Sequence, residues 1–208
     1  MKIILTLIFT LLILSNNGCN GHAKDPPAII INDSTPAKPN SIPAKPDSIP
    51  PIKVLTIREK LIDSINTQLY VRETSPNRGP MVDKYLTTVG SVLGVAWCGA
   101  FVGANLTWQE VPNPKSAWSP DYAKPNDIIW MPKKKTSIEP LPGDVVTYYY
   151  SNLGRVGHVG FFEKADKDDY FITIEGNTNG AGSREGDGVY KKKRDPNKVY
   201  AASRYIKQ

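Results

Sequence analysis

Apolar residues at Val54, Ile57, Leu61, Ile65 and Leu69 recur at spacings of three and four, which predicts an amphipathic helix over 54–70. Asn77, Arg78 and Gly79 form a turn signal. Pro80 suits the first position of a helix, where its missing N–H is not needed, and opens a short one through Tyr85 and Leu86. Gly90 and Gly94 punctuate the approach to residues 97–106 (WCGAFVGANL). This run is rich in small residues, with Phe101, Val102 and Leu106 apolar, and predicts a buried helix beginning at Cys98. Residues 111–142, rich in proline and carrying three consecutive lysines, read as a long loop. Beyond them come β-branched or aromatic runs at 143–150 (GDVVTYYY), 157–163 (GHVGFFE) and 170–175 (YFITIE), with weaker candidates at 188–192 and 199–206. Helices first and strands afterwards predict an α+β fold with an antiparallel sheet.

The amino-terminal pattern is of another kind. Ile3 to Leu14 is a twelve-residue apolar run behind Lys2, too short to span a bilayer and suited to the core of a signal peptide. Ser15-Asn16-Asn17-Gly18-Cys19 resembles a bacterial lipobox, with Asn16 standing where an aliphatic residue is usual. The resemblance implies cleavage before Cys19 and its lipidation. A plain signal peptide cut after Ala23 is the alternative. Residues 20–53 hold eight prolines between Pro26 and Pro51, and a seven-residue motif repeats at 34–40 (STPAKPN) and 41–47 (SIPAKPD) before decaying at 48–53 (SIPPIK). Such a segment has little to bury and predicts an extended tether, in which the thirty residues 24–53 reach up to ~90 Å at ~3.1 Å per residue. The expected organisation is a signal peptide over 1–19, a tether over 20–53 and one folded domain over 54–208.

Composition narrows the chemistry. With 22% charged and 40% hydrophobic residues the chain resembles a soluble globular protein, and its net charge of +6 does not make nucleic acid the default partner. Two cysteines cannot build a disulfide scaffold or a four-thiolate zinc site, and two histidines cannot support the usual catalytic zinc. No metal or other cofactor is expected. Cys98 opens a helix, where the macrodipole favours thiolate, although a lone cysteine is also commonly a small buried hydrophobe. His22 falls in the tether, so His158 is the one imidazole of the folded part. A turn centred near Lys167 would set His158 opposite position 176, flanked by Glu175 and Asn177. Those two are two residues apart on an extended strand and so are expected to share a face. A cysteine nucleophile, a histidine base and an orienting carboxylate or amide make a cysteine version of the hydrolase triad.

Four segments in order, Trp-Cys-Gly-Ala-Phe-Val at 97–102, Pro-Gly-Asp-Val-Val at 142–146, Gly-His-Val-Gly at 157–160 and Glu-Gly-Asn-Thr at 175–178, resemble the CHAP domain. This is the cysteine, histidine-dependent amidohydrolase/peptidase family, papain-like and grouped with the NlpC-type cell-wall hydrolases. The likeness runs over roughly 73–206. It implies a papain-like fold with the catalytic cysteine at a helix N-terminus, attacking an amide of the peptidoglycan stem peptide or cross-bridge. Carried over by position, Cys98 is the nucleophile, His158 the base, Glu175 the group orienting the imidazole, and Asn177 a support for it or for the oxyanion. Some members carry an Asp-rich calcium loop before the cysteine. Thr87 to Ala96 holds no acidic residue, so no calcium requirement is expected there. There is also no glutamine shortly upstream to complete an oxyanion hole, which leaves backbone N–H groups at the start of the Cys98 helix.

Trp97, Trp118 and Tyr149 are candidates for lining a substrate groove, and Trp108, Trp130, Tyr148 and Tyr150 are weaker ones. Lys133–Lys135 and Lys191–Arg194 either meet anionic wall polymers or form solvated surface. Asp144 reads as a structural acceptor at a strand start. The expected partners are peptidoglycan and, through Cys19, a membrane. A wall-binding lipoprotein without turnover, or an acyltransferase, would use the same residues differently. The lipobox likeness generates a first prediction. The full-length protein should incorporate a fatty-acid analogue and partition with membranes, and Cys19→Ser should release it. Wild-type protein found unlabelled in the soluble fraction would favour the plain signal peptide.

Overall fold

In the computed structural model, which describes residues 53–207, the chain enters its first helix through a capping box. Glu59 N–H donates to Thr56 Oγ1 at 3.2 Å and Thr56 N–H donates back to the Glu59 carboxylate at 2.9 Å. The box sets the start of α1 (Ile57–Asn66), so the helix is shorter at both ends than the apolar spacing suggested. Val54 stands before the cap and is 84% exposed, while Leu69 follows the C-cap at Thr67. Pro80 does occupy the first turn of α2 (Pro80–Thr88), which buries Val82, Tyr85 and Leu86. The expected signal peptide at 1–19, Cys19 and nearly all of the expected tether lie outside the described residues.

The third helix, α3 (Cys98–Trp108), begins at the expected residue and is buried from Cys98 to Leu106. Apolar and small on every side, it has no solvent face to present and forms the centre of the domain. Gly99 is required by this closeness: a Cβ there would stand 2.5 Å from the Ala117 carbonyl oxygen.

Residues 111–142 are not entirely loop. They contain a 3-10 turn at Ser119–Tyr122 and a three-residue strand, β1 (Ile128–Trp130), which the proline-rich pattern concealed. The other strands are β2 (Val145–Tyr150), β3 (Arg155–Ala165), β4 (Phe171–Thr178), β5 (Gly188–Arg194) and β6 (Ala201–Ser203). They form one six-stranded sheet in the order β1-β6-β2-β3-β4-β5, with every neighbouring pair antiparallel. One core joins Val145, Val159, Phe161, Ile174 and Val189 of the sheet to Leu61, Ile65, Tyr85 and Phe101 of the helices. A second, smaller cluster gathers Val146, Tyr148, Phe162, Phe171, Val199 and Ala202. The observed architecture is α+β.

Asp144 ties the two ends of the domain to the start of β2. Its carboxylate accepts Leu141 N–H at 2.9 Å, the strand-start role read from the sequence. It also pairs with Arg58 of α1 at 3.0 Å and with Arg204, just past β6, at 2.7 Å. Asp144 is fully buried, so removing it leaves two guanidinium groups uncompensated. Asp144→Ala should therefore lower the unfolding free energy by about 3–5 kcal/mol in urea titrations. A change within 0.5 kcal/mol, the ordinary range for surface substitutions, would mean that the pairs are energetically idle.

Candidate active site

The residue before the nucleophile candidate is fixed on three sides. Trp97 stacks on Tyr85 with ring centroids 5.6 Å apart, and its indole N–H donates to Glu73 at 2.7 Å. Its backbone N–H donates to Asn177 Oδ1 at 3.0 Å, in the amide orientation that also lets Asn177 Nδ2 donate to Gly186 O at 3.0 Å. Trp97 is therefore wholly buried and lines no groove, which corrects one expectation. Its bulk instead anchors the first residue of α3. Cys98 follows with 4% of its surface exposed. The N–H groups of Cys98 and Gly99, in the first turn of α3, have no acceptor within the helix and point outward from its start.

His158, on β3, is fully buried. Its ring packs 5.8 Å from that of Tyr148, its partner on β2. Nε2 lies 2.9 Å from Glu175 Oε2. Beside an ionised carboxylate that nitrogen must carry the proton, which leaves Nδ1 as the lone-pair acceptor of the neutral ring. Nδ1 is buried and, among the described residues, has no hydrogen-bond partner. Cys98 is the other group that favours a proton on this ring. Burial works against the charged imidazole, yet Cys98 and the Glu175 carboxylate outweigh it and hold His158 up at about 9.

The hairpin register differs from the expected one by a single residue. Phe161 pairs with Ile174 and Phe162 with Thr173, and a bulge at Glu163 then sets Lys164 opposite Ile172. Gly160 has a specific role here: a Cβ would stand 2.5 Å from Glu175 Cγ, so only glycine lets the carboxylate cross β3 to reach His158.

Glu175 is sealed from solvent and surrounded by donors. Besides His158, its Oε1 accepts Thr173 Oγ1–H at 2.6 Å, Tyr148 O–H at 3.0 Å and Arg194 Nε–H at 2.8 Å. Its Oε2 also accepts from Arg194 Nη2. Burial pushes this carboxyl up, but Arg194 and His158 more than compensate and hold it well below the usual range. Sequence reading missed Arg194, Tyr148 and Thr173 as partners, because no local pattern joins them to Glu175.

Asn177 does not share the face of Glu175. The β4–β5 pairing breaks between Glu175 and Thr178, and Asn177 adopts a left-handed φ of 57°, which ends the two-residue alternation. Its side chain therefore turns behind the nucleophile to hold Trp97. This corrects the expectation that it supports the imidazole or the oxyanion.

Of the other aromatic candidates, Trp130 packs on Phe171, Tyr148 belongs to the Glu175 cluster, and Trp108 lies under Lys84. Trp118 is 52% exposed beneath the Arg155 guanidinium, and follows the Ala117 carbonyl that abuts Gly99. Tyr149 is 50% exposed beside Tyr200. The basic run on β5 is largely satisfied internally. Lys191 pairs with Glu163, Lys193 with Asp166, Arg194 with Glu175, and Lys192 donates to the Asn179 carbonyl.

The CHAP domain family model matches residues 90–177, which include Cys98, His158 and Glu175. Over residues 90–177 the chain is similar to CHAP domains. CHAP domains are generally hydrolases, of amidase or peptidase type, acting on peptidoglycan. Comparison with curated proteins and with solved structures gives no match. The CHAP match stops within β4, so β5 with Arg194, and β6, lie beyond it.

These shifts make stability depend on pH at both ends. His158 titrates higher in the folded protein than its ordinary 6.5, so its contribution is complete below that value and is lost as pH rises through about 9. Glu175 is depressed, so its contribution is present above 4.5 and is lost as pH falls toward its lowered value. Urea midpoints should fall between pH 7 and roughly 10, and His158→Asn should flatten that alkaline limb. An equally steep limb in the variant would place the titrating group elsewhere.

Proposed function

We propose that this domain hydrolyses an amide bond in the stem peptide or cross-link of peptidoglycan, with Cys98 as nucleophile, His158 as base and Glu175 as the group that orients the imidazole. The observation that carries the reading is the buried imidazole with Nε2 fixed to a carboxylate and Nδ1 left without a protein partner among the described residues. In this scheme Nδ1 takes the Cys98 proton and Sγ attacks the amide carbonyl. The tetrahedral oxyanion is met by the N–H groups at the start of α3. His158 returns the proton to the departing amine as the C–N bond breaks, leaving a thioester on Cys98. Water, deprotonated by His158, then releases the acid and restores the thiol.

A module that only bound the wall would gain nothing from a buried charged histidine–carboxylate pair, which costs several kcal/mol per ion in desolvation. Trp118, exposed beside the start of α3, and Tyr149 supply aromatic surface for the glycan or peptide. The bond is either the N-acetylmuramoyl–L-alanine amide or a peptide link, an amidase or an endopeptidase respectively. Export followed by lipidation at Cys19 would place the enzyme on a tether at the wall.

Digestion of purified sacculi, with products identified by mass spectrometry, tests the reaction and names the bond. Cys98→Ala should abolish digestion with little change in melting temperature. Glu175→Gln should lower turnover by about 10²–10⁴-fold, the contribution of a positioned acid–base group. It should also move the alkaline limb of the rate profile to lower pH, because the carboxylate is what favours the imidazolium. Full activity in Cys98→Ala would refute the cysteine mechanism.

A further inference from the structure

We propose that Arg194 is a positioning residue for catalysis, clamping Glu175 in its ionised form so that the proton stays on His158. This rests on the reading of Cys98, His158 and Glu175 given above, and no part of the CHAP match reaches Arg194.

The argument begins with charge. When Cys98 and His158 form thiolate and imidazolium, Glu175 adds a second negative charge to a region closed to solvent. Arg194 supplies the second positive charge, and the four groups together are neutral. Its side chain is only 20% exposed and lies 5.0 Å over the Tyr148 ring, whose hydroxyl bonds the same carboxylate. The grip is two-pronged, with Nε on Oε1 and Nη2 on Oε2, so the carboxylate cannot rotate without losing a charge-assisted bond.

The second part concerns where the proton rests. Glu175 accepts five hydrogen bonds, from His158, Thr173, Tyr148 and twice from Arg194. A carboxylate with its lone pairs engaged in this way is a poor proton acceptor. It can stabilise the imidazolium without drawing the Nε2 proton away. The charged or titratable groups around the ring are Cys98 on α3, Glu175 on β4, Tyr148 on β2 and Arg194 on β5. Tyr150, Lys192 and Arg184 lie farther out.

The two partners of His158 should therefore act in opposite directions. Removing the Glu175 charge lowers the His158 titration point. Removing the Arg194 charge, with Glu175 still ionised, raises it while loosening the carboxylate. The experiment uses the exported chain, with Arg194→Met and Arg194→Lys, and follows His158 by NMR titration alongside kcat and KM on sacculi. The chain has only two histidines, so the His158 resonance is readily assigned. In Arg194→Met, kcat should fall at least tenfold at unchanged KM, and both the His158 titration and the alkaline limb should move to higher pH. Arg194→Lys keeps the charge and loses the fork, so its titration should stay near wild type and its kcat should lie between the other two.

A wild-type His158 titration in Arg194→Met overturns the proposal, as does activity that falls only in step with the folded fraction. If the methionine variant does not fold, the lysine variant decides, and wild-type kcat in it overturns the proposal. A digestion-competent Cys98→Ala would instead refute the underlying mechanism. The NMR titration would still report whether Arg194 governs His158.

Discussion

A carboxylate without access to water has to find its counter-charges and hydrogen-bond donors inside the protein, and Glu175 draws them from three other strands. Tyr148 comes from β2, His158 from β3 and Arg194 from β5, with Thr173 beside it on β4. Four adjacent strands must therefore be in register before the imidazole is held. Sheet order and side-chain chemistry are one constraint here. A slip of one residue in any of these strands would turn its contribution to the opposite face.

The helix side obeys a parallel constraint. Cys98 has no polar side chain at the N-cap to hold it, and its position comes from Trp97. That ring is gripped by Glu73 and Tyr85, while the adjoining N–H is gripped by Asn177. Asn177 reaches it only because the chain departs from extended geometry just after Glu175. One irregularity in β4 thus sends neighbouring polar residues to two places, Glu175 toward the imidazole and Asn177 toward the nucleophile's helix.

What was legible in the sequence is what depends on local pattern. The small-residue run at 97–106 predicts a buried helix, and α3 starts at the residue expected. The long strands β2 to β4 showed themselves through β-branched and aromatic runs. The three-residue β1 lies among prolines and is held by its pairing to β6, a partner some 70 positions away in sequence, so no window contains its signal. The turn is centred at Asp168 and not Lys167, and the bulge at Glu163 shifts the pairing back by one, so the register beside His158 ends one residue from the hairpin arithmetic. Arg194 read as one member of a solvated basic run, although its neighbours do pair at the surface. Its different fate follows from the strand alternation that turns it toward Glu175.

The place of β6 has a consequence for the order of assembly. Residues 201–203 lie between β1 and β2, so the strand latest in sequence joins two that precede it. A growing chain can form the four strands β2–β3–β4–β5, with all the groups around Glu175, before Ala201 exists. It cannot attach β1, nor supply Arg204 to Asp144, until residues 201–204 have been added. Such late, distant pairing raises contact order and slows closure. The partly made protein is thus a sheet with an open edge at β2, and the arrival of β6 acts as the latch.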